Sequence, residues 1–209
     1  NAEFVSEVEE IKRLIPIVKQ LVATFPMINL SVDTFRANVA KEAVEHGVAI
    51  VNDISAGVLD EKMLETVANL KVPYIMMHMK GTPQNMQGLT DYKDLIKDVV
   101  YYFSERIHAA RNHGISDLII DPGFGFAKTL DENYEIIRNF EMLHLLEKPI
   151  MVGVSRKSMI YTKLKLEADQ ALNGTTVLNT FLFSKKPAIF RVHDVQEMNE
   201  IRTLINSCL

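Results

Sequence analysis

Six short apolar runs, each ending in polar or charged residues and each followed by an amphipathic stretch, recur along the whole of this 209-residue chain. They fall at 27–34, 47–54, 72–79, 117–123, 149–155 and 188–194. Near-continuous Val, Ile, Leu and Met is what strands covered on both faces require. The stretches between carry helical periodicity. Val39, Ala40, Ala43 and Val44 form one stripe that stops at Gly47, and Leu95, Val99, Phe103, Ile107 and Ala110 form another. Val195, Met198, Ile201, Leu204 and Ile205 form a third. TLDE (129–132) and DVQE (194–197) read as capping boxes that start helices after strands. Strand and helix in strict alternation mean an α/β fold with a parallel sheet. An open doubly wound sheet and a (β/α)8 barrel both fit. A helix expected at residues 5–23 has no strand before it, and a barrel needs eight strand–helix units, so the pattern alone does not choose.

A hydrophobic fraction of 47% supplies one sizeable core, and no linker-like stretch divides residues 1–209, so a single domain is expected. The formal charge of −4 offers no global field for nucleic acid or anionic membrane. A lone Cys208 excludes a disulfide framework and a thiolate zinc site, and fits a reducing, cytoplasmic setting. No apolar run reaches the ~18–20 residues of a membrane span.

The chemistry gathers at the run ends, which in either architecture share one edge of the sheet. Asp33, Asn52 and Asp121 offer mainly acceptors and suit a guanidine-like heterocycle edge. Arg156, Lys157, Arg191 and His193 offer donors and positive charge, suited to a phosphate or diphosphate. A small molecule with a heterocycle at one end and a diphosphate at the other would use both sets. Plainer roles compete. Asp33 and Asp53 could cap helices, Asp194 could open a capping box, His78 could be a core histidine, and Arg156 could form a surface ion pair. DPGFGFAKT (121–129) fails both glycine-rich phosphate motifs, with Ala127 and Lys128 standing where glycines are needed. It reads as a tight loop that exposes two aromatics, Phe124 and Phe126, one of them set to cover a flat ligand.

SVDT, IVNDIS, MHMKGTPQNMQ, DPGFGFAKT, VGVSRKSMI and RVHDV together resemble the dihydropteroate synthase family, in that family's order, over about residues 29–195. The resemblance implies a (β/α)8 barrel with six of its eight strands in this chain. It implies a folate-pathway reaction in which para-aminobenzoate displaces diphosphate from a hydroxymethyl-dihydropterin diphosphate. It implies that Asp33, Asn52, Asp121, Met77 and Gly153 line the pterin pocket, with Lys157 beside the ring. Arg191 and His193 would bind the diphosphate and, with Lys157, act in catalysis. Ser158 and Phe126, again with Lys157, would form the para-aminobenzoate side, where sulfonamides compete. It further implies magnesium, whose family Asn ligand lies in a strand ahead of Asn1, and a homodimer. From the ~30-residue size of a strand–helix unit, roughly 60 further residues are expected ahead of Asn1. Tyr161 departs from the family's Gly after SRKSMI. A pterin-binding methyltransferase and a non-catalytic pterin-binding module remain open alternatives.

Overall fold

A computed structural model describes residues 5–208, Gln87 by its backbone alone. Helix α1 (Glu7–Thr24) starts at Ser6, whose hydroxyl accepts from the Glu9 N–H at 3.3 Å. Strand–helix pairs follow: β1 (Leu30–Asp33) with α2 (Ala37–Glu45), β2 (Val48–Asp53) with α3 (Met63–Leu70), and β3 (Tyr74–Met77) with α4 (Leu95–Asn112). Then come β4 (Leu118–Asp121) with α5 (Leu130–Arg138), β5 (Met151–Val152) with α6 (Ser158–Leu164) and α7 (Leu172–Phe183), and β6 (Ile189–Phe190) with α8 (Val195–Cys208). Each apolar run yields its strand, shortened to the residues that pair.

Strands β1 to β4 lie side by side in chain order, all parallel, and β5 pairs in parallel with β6. A single bridge between Ile120 and Ile150 joins the two groups. Sequential order without reversal is the barrel's arrangement, whereas a doubly wound sheet reverses at a switch point. Curvature agrees with the order. Ser31, Ile50, Asn52, Ile75, Met151 and Ile189, drawn from strands at both ends of the series, line one cavity of about 460 Å³. The fold is therefore a partial (β/α)8 barrel with six strands among the described residues.

Strand periodicity of two sends alternate residues outward. Val32, Val51, Met76 and Ile120 are buried within one core, as are Ala40 and Ala43 of α2, Val67 of α3, the five-residue stripe of α4, and Ile136 of α5, and Val39 of α2 is also buried. The α8 stripe is less covered than the others. Only Ile201 is buried, while Val195 and Leu204 are 62% and 67% exposed. Val195 and Met198 face the mouth of the barrel cavity, and Leu204 borders an adjoining groove, so this stripe lies on the open side of the arc.

The capping box at Thr129 forms with Glu132. Asp194 instead directs its carboxylate to Arg156, at 3.0 Å from Nε and 2.7 Å from Nη2. Among the described residues no helix is long and apolar enough to cross a membrane.

Candidate active site at the carboxyl ends of the strands

The inward-facing positions follow from the same alternation. Ser31 and Ile50 lie on the cavity side, so Asp33 and Asn52 two residues on share it, and Asp33 sits opposite Asn52 in the β1–β2 register. Ile75 likewise places Met77 on that side, where it is buried and opposite Asp121 of β4. The strands thus end with Asp33, Asn52, Met77 and Asp121 on one rim.

The deep members of this rim are Asn52 and Asp121, 7% and 6% exposed. The Asn52 Oδ1 is buried with no hydrogen-bond partner among the described residues. A desolvated acceptor left unpaired costs about 1–3 kcal/mol, so it marks a place for a donor. Asp121 accepts from the Gly123 N–H at 2.8 Å. Burial pushes its carboxyl above the ordinary range, and the Lys157 ammonium and that N–H only partly offset the effect. Two desolvated acceptors on one floor suit a ligand edge rich in N–H groups.

Lys157 follows β5 and reaches back across the floor. Its ammonium donates to the Phe124 carbonyl and lies 4.9 Å from the centroid of the Phe126 ring. Burial lowers its pKa, opposed by the attraction of Asp121 and Asp33. Arg191, just past β6, brings Nη2 to 3.6 Å from Asp33 Oδ2, both side chains being about half exposed. Gly153 is buried under Arg191, whose Cβ would stand 3.7 Å from a Cβ placed there. His193 is exposed and held through its N–H and Nδ1, at 3.2 and 3.0 Å from the buried Ser155 Oγ. A buried, acceptor-rich floor thus meets an exposed cationic lip.

Most of the residues singled out in the sequence converge here. Ser158 does not share the floor; it opens α6 with its side chain exposed. Phe124 overturns the expectation of two exposed loop aromatics, for it is fully buried and only Phe126 remains partly open. Gly123, at φ +69°, turns the chain there, and the next side chain enters the core. Asp53 caps no helix. It takes the Ser55 N–H and hydroxyl and the Gly57 N–H at 2.7 Å, and the Tyr74 hydroxyl at 2.6 Å. Arg156 forms its ion pair with Asp194, which joins the loop after β5 to the loop after β6.

Sequence reasoning missed Lys128 and Asn133, both buried. Asn133 accepts from the Gly125 N–H at 2.6 Å and donates to the Thr129 carbonyl at 2.6 Å. Lys128 and Asn133 occupy the two positions flanking a capping box that usually hold an apolar pair. Polar residues at both were the available signal. Among the described residues no group of three His, Cys, Asp or Glu could hold a metal ion.

The sequence matches the pterin binding enzyme family over residues 1–193. Dihydropteroate synthase of Synechocystis sp. is 40% identical over 204 residues, an alignment spanning 96% of this chain and 70% of that protein. The structure is similar to that of the Yersinia pestis dihydropteroate synthase in complex with a sulfonamide drug. The TM-score is 0.94 at 36% identity, covering 99% of this chain and 75% of the other. It is also similar to the Xanthomonas albilineans dihydropteroate synthase with 4-aminobenzoic acid, with a TM-score of 0.92 at 33% identity, covering 100% and 74%.

Proposed function

We propose, for a chain that belongs to the pterin-binding enzyme family and within it to the dihydropteroate synthases, that the rim described above is where two substrates are joined. The enzyme condenses para-aminobenzoate with 6-hydroxymethyl-7,8-dihydropterin diphosphate. The arylamine nitrogen forms a bond to the pterin methylene carbon, the carbon–oxygen bond to diphosphate breaks, and the amine proton is released. The observation that carries the site assignment is the unpartnered Asn52 Oδ1 beside the desolvated Asp121 carboxyl, under a lip of Arg191 and His193.

Each group has a task that follows from its surroundings. Asp121 and Asn52 accept from the amino and ring N–H groups of the pterin, with Asp33 extending the acidic edge. Met77 and Gly153 bound the pocket, and the small Gly153 leaves room beside Arg191. Lys157 donates to the pterin ring in place of the Phe124 carbonyl it now holds. Arg191 and His193 receive the diphosphate, so the negative charge that grows on the leaving group meets the Arg191 guanidinium and the His193 ring. The acidic floor favours electron release from the pterin toward the departing carbon. The arylamine is nucleophilic when neutral and needs positioning more than deprotonation. Orienting two reactants can contribute about 7–11 kcal/mol. Phe126 and Ser158 are assigned to the arylamine side.

Magnesium belongs to the proposal as well. No step above is routed through it. A homodimer is likewise proposed, with Val8 and Ile17 of α1 and Val195 and Leu204 of α8 as exposed apolar surface on the terminal helices. Sedimentation that shows only the monomer mass would remove it. A cytoplasmic location fits the lone exposed Cys208.

The experiment that tests the function is diphosphate release measured with and without para-aminobenzoate. Release that requires the amine is expected. Release without it would mean plain hydrolysis, and no release at all would mean a binding module.

A further inference from the structure

Lys128 is the one lysine or arginine among the described residues that is buried, at 5% exposure, and no carboxylate lies within ion-pairing distance of it. Burying a cation away from a counter-ion is costly, and an apolar residue at this position would avoid the cost. What the amine touches is specific. Nζ is 3.1 Å from the Gly123 carbonyl, 3.0 Å from the Phe126 carbonyl and 2.9 Å from His78 Nδ1. The first two contacts mark the ends of the loop that carries the Phe124 carbonyl and the Phe126 ring, the two groups that contact Lys157.

Within the loop the Phe126 N–H donates to the Gly123 carbonyl at 3.1 Å, and the remaining ties come from outside it. Gly123, Gly125 and Ala127 all adopt left-handed φ, at +69°, +79° and +47°. An alanine at such a φ persists only when its surroundings fix it. Asn133 ties the outer side of the turn through the Gly125 N–H, and the Tyr92 hydroxyl donates to the Ala127 carbonyl. Lys128 ties the inner side.

We infer that Lys128 is a positioning residue for the arylamine half of the reaction, with His78 as its support, fixing the loop so that the Phe126 ring stays beside Lys157 when its ammonium turns from the Phe124 carbonyl to the pterin. This rests on the synthase reading above. The three contacts can be satisfied in either charge state. An ammonium donates to both carbonyls and to an unprotonated Nδ1, whereas a neutral amine donates twice and accepts from Nδ1–H. The charged and titratable groups around it are Asp121, Lys157, Glu132 and Lys80, with His78 in contact. His78 is itself buried, edge-on to Tyr102 at 4.8 Å and near Tyr92 and Phe103. Burial and the neighbouring lysines keep it neutral by lowering its pKa well below the usual value.

The test is steady-state kinetics of the complete protein carrying Lys128→Met, which keeps the length and removes the donors. The expected result is a KM for para-aminobenzoate raised about tenfold, with calorimetric affinity for the dihydropterin diphosphate within about twofold of wild type. Partial unfolding would lower kcat and leave KM alone, so the KM shift separates positioning from stability. His78→Phe fits the same aromatic box, and a smaller KM rise of about threefold is expected. An unchanged KM in Lys128→Met, or equal losses for both substrates, overturns the inference. Should that variant not fold, an unchanged KM in His78→Phe overturns it. Wild-type protein that releases no diphosphate with the amine removes the synthase reading and this inference together. Wild-type turnover with an unshifted variant removes this inference alone.

Discussion

Asp121 shows how burial and chemistry combine in one residue. Its carboxyl is desolvated, and its pKa lies above the ordinary value because Lys157 and one N–H only partly offset the burial. A ligand that supplies N–H donors needs the ionised form. Pterin affinity should therefore fall as pH drops through a carboxyl pKa higher than the usual 3.8, and be steady above it. Asp121→Asn should weaken pterin binding by more than about tenfold, since a charge-assisted contact contributes about 1.5–3 kcal/mol, and should flatten that acid limb. Calorimetry across pH checks both. Arg191→Ala should lower affinity for the diphosphate substrate and spare the pterin alone; equal losses would contradict the division between floor and lip. The Lys128 pKa is shifted the other way. It falls to about 7, so between there and the usual 10.5 the unfolded chain binds a proton that the folded chain does not. Stability should rise with pH through that window, and denaturant titrations of Lys128→Met should lack the rise.

At the scale of elements, the loop between β4 and α5 separates glycines by what surrounds them. A Cβ on Gly123 would stand 2.2 Å from the His78 carbonyl oxygen, at φ +69°. A Cβ on Gly125 would meet nothing nearer than Lys157 Cδ at 3.6 Å. Gly125→Ala should therefore cost about 1 kcal/mol, from its φ alone, and Gly123→Ala clearly more than about 3 kcal/mol, because backbone must move. For a domain of this size that is a fall in Tm of about 2–4 °C for the first and several times that for the second. Asp53→Ala should also be severe, since it strands the Ser55, Gly57 and Tyr74 donors at once. The strands and the stripe of α4 were readable because each burial follows one period. Phe124 was not, because a single left-handed glycine reverses which side the next residue faces, and sequence does not print φ. Asp53 was misread for a related reason. A carboxylate before a helix looks like a cap, and only the fold reveals that a Tyr hydroxyl from the next strand claims it.

For the whole molecule, the deciding feature was the strand order. Alternation of strand and helix fits both an open sheet and a barrel, and the choice lies in which non-neighbouring strands share an interior. Ser31 and Ile189 lining one cavity is a long-range fact that no local pattern carries. The α8 stripe shows the converse, a periodicity whose covering surface is not among the described residues. Among the described residues β1 pairs only with β2, and β6 only with β5. Amide exchange should be at least about tenfold faster in β1 and β6 than in β3, which is flanked on both sides. Uniform protection across the six strands would contradict that. Finally, the Arg156–Asp194 bond fastens the segment bearing Lys157 to the one bearing Arg191 and His193. The grip on one substrate and the grip on the other therefore travel on a common chassis. A change that shuts out an arylamine mimic by shifting the first segment would be felt by the departing diphosphate, so tolerance of an inhibitor should come with slower turnover.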